Sequence, residues 1–122
     1  MLTKAQARKT MLAVKGISEG LYFAKPSAFY GDGFVGRVHN KEEAVVLRIS
    51  SIEMRDVMLE AEPKLFYITE HYRAWPMLLA RLSVLDAKTL KGLVMARISE
   101  IEAAPIKKRA KKLTKKIKKK KT

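Results

Sequence analysis

The sequence contains no cysteine, which excludes a disulfide framework, a thiolate metal site and a cysteine nucleophile, and fits a cytoplasmic location. It has no uninterrupted apolar run near the roughly 20 residues that span a bilayer, and no apolar stretch before a cleavage-like site, so neither stable membrane insertion nor a secretory leader is expected. Its only histidines, His39 and His71, stand at no spacing that would build a metal site with nearby carboxylates. A phosphate-binding loop is also missing. Gly31-x-Gly33-x-x-Gly36 has the G-x-G-x-x-G spacing, but it falls in a predicted hairpin instead of opening a helix. No catalytic constellation remains, and the expectation is a non-enzyme without metal or cofactor.

Acidic residues are scarce in a localised way. From Lys107 to Thr122 there is none, against eleven basic residues: Lys107, Lys108, Arg109, Lys111, Lys112, Lys115, Lys116, Lys118, Lys119, Lys120 and Lys121. Removing these from the 26 basic residues of the chain leaves fifteen, set against twelve acids, so the body carries only +3 of the net +14. With 122 residues and 48% hydrophobic content the chain can bury one core, which places a single domain at residues 1–105 and a lysine-rich arm at 106–122.

Within the body, Leu2 to Lys15 is rich in good helix formers and stops at Gly16; Lys4, Arg8 and Lys15 would give this helix a modest basic face. From Pro26 the period becomes strand-like. Ser27 to Tyr30 and Phe34 to His39 flank Gly31-Asp32-Gly33, whose glycines permit the positive φ of a tight turn, and Ala44 to Ile49 completes a meander. Ser50-Ser51-Ile52-Glu53 has capping-box spacing, and Met54, Val57, Met58 and Ala61 would form the apolar face of the helix it opens, before Pro63. Two strands, Leu65 to Thr69 and Met77 to Val84, precede a helix capped by Asp86, with Leu90, Leu93, Val94, Ile98 and Ile101 as its core stripe and Pro105 as its stop. The order α-β-β-β-α-β-β-α predicts a two-layer α+β domain with helices on one face of an antiparallel sheet and the other face exposed. By alternation, Arg37, Arg48 and Arg81 would share that exposed face, where they either form a basic stripe or pair with carboxylates such as Glu43.

These elements, with Phe34-Val35-Gly36-Arg37-Val38, Val46-Leu47-Arg48-Ile49 and above all Leu65 to Pro76 with its T-x-H-Y-x-x-W-P core, make the chain resemble the MmcQ/YjbR family of small bacterial proteins over most of Met11 to Ala103. The resemblance implies a fold similar to type III secretion chaperones and no known catalytic chemistry. Members are commonly labelled DNA-binding, a label that rests on fold analogy. The arm lies outside the shared region.

Eleven like charges in fifteen residues repel too strongly to pack, so the arm is expected to be disordered in isolation, with an extended reach of roughly 50 Å at about 3.3 Å per residue. Ile106, Ala110, Leu113 and Ile117 would form a thin apolar stripe if phosphates neutralised the lysines and the arm became helical. Such an arm suits a phosphate backbone, DNA before RNA, with little sequence preference because lysine acts as a point charge. A nucleoid-associated, monomeric protein is the expectation. His71, Tyr72, Arg73 and Trp75 are secondary candidates, either as a stacking platform for bases or as a roof over the core, beside Arg37, Arg48 and Arg81. The alternatives are a protein-interaction or chaperone-like module with an acidic protein partner, and attachment to an anionic membrane.

Overall fold

The computed structural model describes residues 1–103; the arm, with its expected disorder and its eleven candidate contacts, lies outside the described residues. The body is an α+β domain in which three helices pack against one face of a six-stranded antiparallel sheet.

Helix α1 (Lys4–Leu12) starts at a capping box: Thr3 accepts from the Gln6 amide and the Gln6 side chain accepts from the Thr3 amide. Strand β1 (Ile17–Tyr22) follows, then β2 (Lys25–Tyr30), β3 (Gly33–Val38) and β4 (Ala44–Arg48). Helix α2 (Ile52–Ala61), the two-residue β5 (Phe66–Tyr67), a 3₁₀ turn (Glu70–Tyr72), β6 (Met77–Arg81) and α3 (Ala87–Glu102) complete the order. Neighbours across the sheet run β1-β2-β3-β4-β6-β5. Strand β1 is thus an addition to the five strands expected. Its Ser18-Glu19-Gly20 centre hides the alternation, and its turn to β2 is Phe23-Ala24, which holds φ at 53° and 63° without the Asn or Gly such a turn normally uses. At the next hairpin only Gly31 uses positive φ, at 61°.

The sheet separates two apolar layers. Toward the helices lie Ala7 and Met11 of α1, Val45 and Leu47 of β4, Leu78 and Ala80 of β6, and Leu90 and Val94 of α3, with Leu93, Ile98 and Ile101 packed at their margin as the stripe predicts. On the other face Phe34, Ala44, Val46, Tyr72, Met77 and Leu79 form a second cluster, so the face expected to be exposed is covered: Val46 is 1% and Leu79 0% accessible. Aromatic residues of β1 and β2 and the chain between β5 and β6 supply that cover.

A bulge in β3 sets which side chains reach this second face. Ala28 pairs with Gly36 while Phe29 pairs with Phe34, leaving Val35 as the extra residue. Phe34 and Arg37, three apart, therefore both point away from the helices, and Val35 joins the helix-side core. Arg97 of α3 donates from Nε to the Phe34 carbonyl at 3.0 Å and so braces the bulge.

Helix α2 departs from its expected face and cap. Ser51 is the N-cap, one residue later than predicted, and accepts from the Met54 amide. Met54 and Val57 are exposed; the inward side is Ile52, Arg55, Met58 and Leu59, with Arg55 only 4% accessible. The expected basic face of α1 is neutralised as well, since Lys4 lies 3.4 Å from Glu43 and Arg8 pairs with Glu19. Lys15 falls beyond the helix.

Candidate nucleic-acid interface

Cross-strand register places Arg37 opposite Val46, Arg48 opposite Met77 and Arg81 opposite Ala44, so the three arginines do share the face away from the helices. They do not make a continuous stripe. Arg81 donates from Nη1 to the carbonyls of Pro63, Lys64 and Phe66 and lies 4.5 Å over the Tyr67 ring, which makes it a clamp on the turn into β5. Arg48 buries its Nε without a hydrogen-bond partner among the described residues. Glu43, the carboxylate considered as a partner for this set, is taken by Lys4.

Arg37 has a different setting. Its Nη2 donates to the Tyr72 hydroxyl at 3.2 Å, and its Nη1 is buried with no hydrogen-bond partner among the described residues. It forms, with Phe34, Val46 and Met77, the floor of a cavity of about 410 Å³. One wall is the edge hairpin, with Tyr22, Phe23 and Lys25; the other is the connection into β6, with His71, Tyr72 and Trp75. Four of the seven secondary candidates thus meet in one place, Arg37, His71, Tyr72 and Trp75. Arg73 faces outward in an ion pair with Glu70.

The walls are aromatic and still partly open. Tyr22 stacks on Phe34 at 4.4 Å between ring centroids, and Phe23 meets Tyr22 edge-on at 4.6 Å while remaining 83% exposed. Opposite them, His71 meets Tyr72 edge-on at 4.7 Å, and Trp75 is 56% exposed. Of the roof expected over the core, Tyr72 is a part, at 6% accessibility, and Trp75 is not.

The electrostatics are one-sided. Lys25, Arg37 and His71 line the cavity, and no Asp or Glu does so among the described residues. Neither Lys25 nor Arg37 has an ion pair among those residues. Close by, His39 accepts from the amides of Lys41 and Glu42 at its Nδ1. Burial first, and then the positive charge of Arg37, lowers its pKa below the ordinary histidine value, against the opposing pull of Glu42.

Arg55 holds the second wall. From α2 its Nη1 donates to the carbonyls of Tyr72, Arg73 and Trp75 at 3.2, 2.9 and 2.8 Å, while Nε and Nη2 bind Asp56. The sequence did carry a trace of this role, because Arg55 sits between Ile52 and Leu59 at helical spacing on a side that would otherwise be apolar. Tyr22, Phe23 and Lys25 gave no such trace, since the hairpin that presents them was not visible in the pattern. Among the described residues no helix is long and apolar enough to cross a membrane, and no group of three or more potential metal ligands occurs. Compared with protein-family models, curated proteins and solved structures, the chain matches none.

Proposed function

We propose that this protein binds nucleic acid, DNA before RNA, without catalysis and largely without regard to sequence, through the polybasic arm. The observation that carries this reading is how the body uses its own arginines. Five of the seven are committed inside the domain: Arg8 to Glu19, Arg55 and Arg81 to backbone carbonyls, Arg73 to Glu70, and Arg97 to Glu100 and the Phe34 carbonyl. A body so engaged, with a net charge of only +3, offers a duplex little purchase, whereas the arm brings eleven cations and no acid. Phosphate contacts by lysine release condensed counterions, which supplies affinity and carries no base information. The DNA-binding label of the family that the sequence resembles agrees with this, by fold analogy alone.

A salt titration of duplex DNA tests the proposal. If half the arm engages phosphates, log affinity should fall against log salt with a slope of about −5. A chain ending at Pro105 keeps both apolar layers of the body and should lose most of the affinity and most of the slope. Equal binding by the shortened chain at every salt concentration refutes the assignment.

A further inference from the structure

The cavity on the sheet face away from the helices is not needed for a phosphate-tracking arm, and its construction fits another ligand. Two cations, Lys25 and Arg37, line the cavity with no ion pair and no lining carboxylate among the described residues, an uncompensated positive charge. The ligand that would compensate it is an anion. The walls are aromatic and the volume of about 410 Å³ lies in the range of small-molecule sites, so the anion should carry a flat ring. The arm itself is excluded as occupant because it shares the sign of the cavity.

The edge hairpin adds an independent observation. Phe23 and Ala24 both hold positive φ, which is costly for residues other than glycine, and the result is a large aromatic ring held 83% exposed at the rim of the cavity. The residues preferred at such a turn are Asn-Gly or Asp-Gly. The hairpin thereby places an exposed ring on the same cavity as Lys25 and Arg37, and aromatic rings together with cations are the parts of a stacking site.

We propose that this cavity binds one nucleotide, its base stacked between Phe23 and Trp75 and its phosphate drawn to Arg37 and Lys25. The source is either a free mononucleotide or an unstacked nucleotide of a strand held by the arm; only the second source rests on the nucleic-acid reading above.

Trp75 is the single tryptophan of the chain and reports on the cavity directly. The full chain is titrated with thymidine monophosphate, thymidine, inorganic phosphate and a short thymidine oligomer, following tryptophan emission. The monophosphate should change the emission saturably, thymidine should bind about tenfold more weakly for want of the charge-assisted contact, and inorganic phosphate should leave the emission unchanged. A response to the oligomer alone, absent from the variants below, assigns the nucleotide to a strand. Phe23→Asn should lower the affinity about tenfold, the scale of one stacking contact, and raise the melting temperature by relieving the turn. Arg37→Gln should lower it to a similar extent without lowering the melting temperature.

No emission change with any nucleotide overturns the proposal. So does an equal response to inorganic phosphate, or an unchanged response in both variants. Duplex DNA presents no unstacked base, so its salt-dependent binding scores the arm alone. Loss of the Trp75 response with duplex binding intact sinks the cavity, and the converse sinks the arm.

Discussion

Arg55 shows how a single side chain can organise a wall it does not belong to. Its buried guanidinium serves three carbonyls of the chain that carries Tyr72 and Trp75, and its charge partner Asp56 sits at the surface with its side chain 59% exposed. Replacing it by leucine removes these donors, leaving the Tyr72 and Trp75 carbonyls with only the amides of Trp75 and Met77 and stripping the Arg73 carbonyl of its side-chain donor. The expected cost of Arg55→Leu is about 3 kcal/mol, read as a lower urea midpoint at unchanged slope. Arg55→Lys should recover only part of it, because an ammonium cannot reproduce the planar fork. A loss smaller than about 1 kcal/mol on that same measurement would mean the connection holds itself in place. The same side chain marks a limit of sequence reading. An arginine in a helix is ordinarily a surface residue, so its place between Ile52 and Leu59 is a weak trace, and its carbonyl partners, 17 to 20 residues away in the chain, are what define the inward side.

At the scale of elements, the register of β3 decides what the second face contains. Gly36, beside the bulge, brings β3 close to β4: a Cβ added there would lie 2.5 Å from the Val46 carbonyl oxygen, a backbone atom that cannot step aside. Gly36→Ala should therefore force the two strands apart and cost about 2 kcal/mol, lowering the melting temperature by on the order of 10 °C. Gly33→Ala is the informative contrast. Its added Cβ would meet the Cδ1 of Ile101 at 2.6 Å, the tip of a side chain that can rotate, and the variant should melt closer to the parent. Equal melting temperatures for the two would remove the argument from backbone approach. Alternation along the strands correctly grouped Arg37, Arg48 and Arg81 on one face, since β4 and β6 are regular and Arg37 lies past the bulge. It could not anticipate β1, whose polar centre and glycine-free turn break both signals by which a hairpin is read. The rotation of α2 was hidden for a related reason. Met54 and Val57 are as apolar as Met58, and periodicity alone does not tell which pair the sheet will cover.

For the whole molecule, the charges that hold the fold and those proposed to bind DNA should respond differently to pH. His39 keeps a pKa below its ordinary value of about 6.5 through burial and through Arg37, so the unfolded chain takes up this proton more readily than the folded one. Its contribution to stability is complete above about pH 6.5 and is lost as the pH falls through the window below that value. His39→Asn keeps a side-chain acceptor for the amides of Lys41 and Glu42 and does not titrate, so its stability should be flat across the same window. Urea unfolding of both chains between about pH 5 and 7 makes the comparison; parallel curves would show that His39 is not the group responsible. Lysine and arginine, by contrast, hold their charge throughout that range, with ordinary values above about 10. Duplex affinity at constant salt should therefore stay level from about pH 6.5 to 8.5, and a marked pH dependence there would place a titrating group in the contact instead of the arm.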